Sequence, residues 1–241
     1  MLKFKIFFFV LLLPAIGLSL TAQGILQDYT LQIHTGATAA GDTSIKGTGI
    51  EADVGSGYVL GIGVGRNINS NFKLQLDWTY RKMEIDDLTD PSGQWLQPRY
   101  NLPGQGVGGF TGFSSIRQNT DNFEADIAYS SVMLNAFYER PVTDKFEVFG
   151  GLGLGFSVVE ASFYGQVKPN LVNAFGVQPH LLLPSDQQGV AFAWQLAVGT
   201  EYKINDDFSI VLTYKYFAPG SVDDLNDLDV SSFEIGANYL F

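Results

Sequence analysis

Side chains that could carry chemistry are few. The 241 residues hold two histidines and no cysteine, so thiolate nucleophiles, thiolate metal sites and a disulfide framework are excluded. His180 lies in the run "HLLLPSD", followed by Ser185 and Asp186, the residue types of a base, a nucleophile and an orienting acid. A catalytic base must stand within hydrogen-bond reach of its nucleophile. Three groups on one short loop have no scaffold to hold that geometry, so no catalytic residue and no enzyme is expected. Acid clusters are the second candidate: "EIDDLTD" groups Asp86, Asp87 and Asp90, and "SVDDLNDLD" groups Asp223, Asp224, Asp227 and Asp229. Hard cations such as calcium take oxygen ligands of this kind, but the central glycine of a regular calcium loop is missing. These clusters read as solvated acidic faces, with a weak divalent site as the alternative, and no metal or other cofactor is expected. A third set is dispersed along the chain: His34, Asp77, Arg81, Lys215 and Glu234. Its members can act together only if the chain between them folds them into one place.

The elements that would do so follow from pattern. Lys3 and Lys5, the apolar run "IFFFVLLL", Pro14 and the small residues of "GLSLTAQ" have the order of a secretory signal. Residues 1–22 are read as a signal peptide and 23–241 as the mature domain. Phe4 to Leu20 is interrupted by Pro14 and Gly17 and is at the short end of the roughly 17–25 residues a membrane helix needs. Losing Lys3 and Lys5 takes the formal net charge from −11 to −13, which argues against nucleic acid or anionic head groups as direct partners. After residue 22 no apolar run approaches spanning length, yet 46% of residues are hydrophobic, 14% are aromatic and 27 are glycine. A bundle of membrane helices is excluded, and a soluble β-protein or a membrane β-barrel remains.

Period-2 alternation is clear in "FKLQLDWTY", "FEVFGGLGLGFSV", "VAFAWQLAVGTEY" and "FSIVLTYKY", each a strand with one large-apolar face. The opposite faces carry Lys73, Gln75, Asp77, Thr79 and Arg81, then Gly151, Gly153 and Gly155, then Gln195 and Glu201, then Ser209, Thr213 and Lys215. A membrane barrel turns its aromatics to lipid and its small or polar groups to the lumen. Aromatics near both strand ends, the signal peptide and a final Phe241 favour that version. The pattern predicts eight strands, at about 27–40, 55–66, 72–84, 126–140, 146–160, 190–203, 208–218 and 232–241. Short turns, "NINSN", "PVTDK" and "INDD", each deliver an aromatic that opens the next strand. Long connections, 41–54, 85–125, 161–189 and 219–231, alternate with them. The expected fold is all-β, an eight-stranded antiparallel up-and-down transmembrane β-barrel with short periplasmic turns and long extracellular loops.

On these strands, turns and the ending "FEIGANYLF", the chain resembles the small eight-stranded outer-membrane barrels, similar to the OmpA transmembrane domain and OmpX. The resemblance implies a place in the Gram-negative cell outer membrane. It also implies that Phe233, Ile235, Tyr239 and Phe241 form the signal read by the barrel-insertion machinery. An eight-stranded lumen is just wide enough for side chains to fill it. Counting up from the turns sets Lys215 opposite Glu234, with Gln195 nearby, Asp77 and Arg81 at similar depth, and His34 inward beside the closing seam. Buried charges must be paired, so these five read as a structural plug, with a switchable gate for small ions as the alternative. The function expected is a structural or surface-interaction role in contact with outer-membrane lipid and lipopolysaccharide, as a monomer. An extracellular ligand at loops 85–125 and 161–189 fits their length, as does self-packing of Trp95, Tyr100, Phe110 and Phe113. The alternative is a narrow channel or an OmpW-like route for small solutes, and after that a lipid A-modifying enzyme.

Overall fold

The computed structural model describes residues 29–45, 50–89, 117, 120–167, 187–220 and 228–241. Nine strands occur among them: β1 (Tyr29–Ala40), β2 (Thr43–Ile45), β3 (Ile50–Asn67), β4 (Phe72–Thr89), β5 (Thr120–Pro141), β6 (Phe146–Val167), β7 (Gln187–Lys203), β8 (Phe208–Pro219) and β9 (Val230–Leu240). Every pairing is antiparallel; consecutive strands pair from β2 to β9, and β1 meets β9 on one side and β3 on the other, so the sheet closes on itself. β1 and β2 run end to end along β3, Thr38 facing Gly57 and Thr43 facing Ala52. They form one interrupted stave, which gives the expected eight.

The side chains sort as a membrane barrel requires. Lys73, Gln75, Asp77, Thr79 and Arg81 of β4 are at most 5% exposed and point into the lumen, while Leu74 and Leu76 between them are 41% and 56% exposed on the outer wall. Phe156, Val190, Phe192 and Phe233 continue that apolar exterior at 54–70%. In water such a surface would be unstable; in hydrocarbon it is the matched one. No helix among the described residues is long and apolar enough to cross a membrane. The last strand is tied down: the Phe241 amide donates to the Tyr29 carbonyl at 3.0 Å, across the seam.

The strands outrun their expected outer ends. β3 begins at Ile50 rather than 55, β4 runs to Thr89 rather than 84, β5 begins at Thr120 rather than 126, and β6 runs to Val167 rather than 160. Asp86 and Asp87 therefore stand on β4, not in a loop, while Asp90, Asp223, Asp224 and Asp227 lie outside the described residues, as do the signal segment and the four loop aromatics. The cause is irregular register. Shifts occur at Asp53–Gly57 against β4 and at Asp121–Glu124 against β6, where Asn122 has φ 53°. A bulge opposes two residues to one and breaks period-2 alternation, so the pairing continues where the sequence pattern stops.

Candidate functional site

The strands bring all five dispersed charges to one level of the lumen. Around the ring, β4 and β8 are four staves apart in either direction, so they face each other across the barrel. From β8, Lys215 Nζ spans that distance, 3.3 Å from Asp77 Oδ2 on β4 and 2.8 Å from Glu234 Oε2 on β9. From β1, His34 places Nε2 3.1 Å from Asp77 Oδ1 and Nδ1 2.7 Å from Glu234 Oε2. Glu234 Oε1 also accepts from Ser232 Oγ at 2.7 Å. Arg81 Nη2 stands 3.8 Å from Glu234 Oε1, and its guanidinium lies 4.4 Å from the centre of the Phe217 ring, a cation–π contact. None of the five is more than 4% exposed. In so dry a place two carboxylates hold together only because two cations and an imidazole face them.

Two glycines make room for the layer. A Cβ on Gly61 would lie 2.2 Å from His34 Nε2, and one on Gly63 would lie 2.9 Å from Asp77 Oδ1. Lumenal glycines on β6 and β7 serve bulk instead, since a Cβ on Gly151 would meet the Phe137 ring at 2.3 Å and one on Gly199 the Phe149 ring at 2.4 Å.

Above and below the layer the lumen differs. On the periplasmic side a shallow recess is lined by the polar groups of Lys73, Gln75, Glu139 and Asn238 together with Phe137 and Phe149. On the extracellular side the interior turns apolar. Val59, Met83, Tyr129, Met133, Phe217 and Val230 are each at most 2% exposed, and Tyr129 meets Phe217 edge-on with centroids 5.8 Å apart. The lumen thus has three storeys: a mouth of mixed polar and aromatic side chains, a charge layer and a dry apolar plug.

One expected pairing needs correction. Glu234 faces Thr213 in the ladder and Lys215 faces Ser232, because Phe208 pairs with Tyr239 and not with Phe241. The offset of two residues keeps both charges on the lumenal face, and a diagonal neighbour is within reach of long side chains, so the ion pair forms anyway. Gln195 serves Asn135 instead, donating to its side-chain oxygen at 2.6 Å. The apolar storey was not foreseen; its signal was the alternation of Met83 and Ile85 beyond Arg81, continued by Ile127 and Tyr129 on the next strand. Phe233, Ile235, Tyr239 and Phe241 share the outer face at 47–62% exposure. His180, Ser185 and Asp186 lie outside the described residues.

A closed antiparallel ring with an apolar exterior and a charged interior defines a transmembrane barrel of the Gram-negative outer membrane. The chain belongs to the outer membrane protein beta-barrel domain family, whose model matches residues 86–241. No curated protein sequence matches it. Among solved structures it is similar in fold to neisserial surface protein A, with 12% identity, a TM-score of 0.52, and 89% of this chain and 98% of that one covered. It is likewise similar to OprG of Pseudomonas aeruginosa, with 17% identity, a TM-score of 0.51, and 91% and 98% covered.

Proposed function

We propose that this protein is a closed, non-enzymatic barrel that acts through its extracellular surface, as a structural or interaction protein seated in outer-membrane lipid and lipopolysaccharide. The lumen carries this reading: a charge layer crosses it, and an apolar storey at most 2% exposed at its central residues fills it above that layer. A channel needs a wetted path, and a layer packed this closely argues against one. With the interior given over to stability, recognition falls to the connections between the tall strands, over 90–119 and 168–186. Phe233, Ile235, Tyr239 and Phe241 form the outward strip that the barrel-insertion machinery would read, the protein works as a monomer, and residues 1–22 direct export.

The test separates surface from lumen. Removing residues 90–116 should abolish an adhesion or envelope phenotype of the whole cell while uptake of small solutes stays unchanged. Solute uptake that depends on the protein, together with indifference to the loop, would replace this reading by transport. Hydrolysis of lipid A by the purified protein, lost in His180→Ala, would overturn the non-enzymatic part.

A further inference from the structure

The three short turns repeat one structure down to single hydrogen bonds. In each, the amides of the first two turn residues donate to the carbonyl of the phenylalanine that opens the next strand. Ile68 and Asn69 do so to Phe72 at 2.7 and 3.3 Å, Val142 and Thr143 to Phe146 at 2.8 and 3.1 Å, and Ile204 and Asn205 to Phe208 at 2.9 and 3.2 Å. The second residue's side-chain oxygen, on Asn69, Thr143 or Asn205, accepts from the phenylalanine amide at 2.7–3.1 Å. Each phenylalanine then faces a tyrosine on the neighbouring strand: Phe72 with Tyr138, Phe146 with Tyr202, Phe208 with Tyr239.

This unit fixes a side chain that the turn itself does not need. The first position is β-branched and apolar in all three turns, and it is exposed: Ile68 59%, Val142 59% and Ile204 46%. A single exposed apolar residue is unremarkable. Three at one position of a repeated unit, each bonded across the turn to an outward-facing phenylalanine, extend the lipid-facing wall downward at three points. The turns themselves carry Asp144, Lys145, Asp206 and Asp207, all exposed, but the outward charges on the strands just above them are basic. Outward at this rim stand Arg66, opposite Leu74 and 5.3 Å from the Tyr29 ring centre, and Arg140, opposite Val148. Outward at the opposite rim of β4–β6 stand Glu84, Asp126 and Glu160 with Lys82 as the one cation.

We propose that the three turns dock on the inner-leaflet phospholipid, Ile68, Val142 and Ile204 entering the boundary between head group and acyl chain and setting the depth at which the barrel sits. The occupant is a glycerophospholipid because the apolar tips are continuous with the hydrocarbon-facing band, and on the strands leading into the first two turns the outward charges, Arg66 and Arg140, are arginines, which match phosphate, while the exposed Asp144, Asp206 and Asp207 stay on the aqueous side of the tips. The chain has no native cysteine, so single nitroxide labels can be placed at Ile68→Cys, Val142→Cys and Ile204→Cys, with the third turn positions Ser70→Cys, Asp144→Cys and Asp206→Cys for comparison. In vesicles of phosphatidylethanolamine and phosphatidylglycerol, the first three labels should favour oxygen over a water-soluble nickel chelate severalfold more than the second three, and should report one common depth. Chelate access at 68, 142 and 204 equal to that at 70, 144 and 206 would overturn the proposal.

Discussion

At the scale of single residues, the charge layer is a set of mutual obligations. Lys215 approaches both Asp77 and Glu234 from 3% exposure, so Lys215→Met would leave two buried carboxylates short of a cation. Breaking a buried pair in this way costs about 3–5 kcal/mol, and urea unfolding of the refolded protein in detergent micelles should show a loss of that size. Room matters as much as charge. Gly61→Val should lower the unfolding midpoint sharply, since its Cβ would fall on the His34 ring, whereas Gly150→Val should be nearly neutral, its Cβ meeting nothing nearer than 3.9 Å. Equal effects would mean that the glycines answer to backbone freedom and not to the layer. Asp77, Arg81 and Lys215 could be picked out from the sequence because each occupies a lumenal parity position on or just beyond a stretch with a clear apolar face, and His34 and Glu234 because they fall on the two strands of the closing seam. Their partners could not. The Lys215–Glu234 contact is diagonal, and the stagger that makes it so is a property of the closed ring, invisible along any one strand.

At the scale of elements, the hairpins carry most of what the sequence could reveal. Turn residues with side-chain oxygens followed by an aromatic mark the periplasmic ends well, and these strand starts, at Phe72, Phe146 and Phe208, fall where the pattern puts them. The Asn205 side chain accepts from both Asp207 and Phe208, at 3.0 and 2.7 Å. Asn205→Ala should therefore destabilise the β7–β8 hairpin by about 1 kcal/mol per net hydrogen bond lost, read as a lower unfolding midpoint. Ser70→Ala is the comparison, since Ser70 Oγ reaches only the side chain of its neighbour Asn71, and a loss as large there would deny the turn side chains this role. The outer ends were poorly legible for the opposite reason. Bulges at Asp53–Gly57 and Asp121–Glu124 shift the alternation, and the pairing of Thr120 with Val167 has no local sequence mark.

At the scale of the whole molecule, the interior is divided by height: polar and aromatic at the periplasmic mouth, ionic at mid-lumen, apolar toward the cell exterior. A filled lumen was expected from eight strands, but not that its outer half would pack like the core of a soluble protein, with Met83, Leu88, Ile127 and Phe217 each at most 2% exposed. Such a plug both seals and stabilises. Phe217→Ala, which removes the ring stacked on Arg81 and packed on Tyr129, should cost about 3–5 kcal/mol as a large-to-small core change and is the substitution most apt to let water reach the charge layer from above. Planar-bilayer recording of the refolded mature protein tests the sealed lumen most directly, with Lys215→Ala and Glu234→Ala beside it. A sealed lumen gives no steady conductance from the wild-type protein once insertion is verified. Steady wild-type channels whose conductance changes in either variant would contradict it, making the charge layer a gate and transport the function.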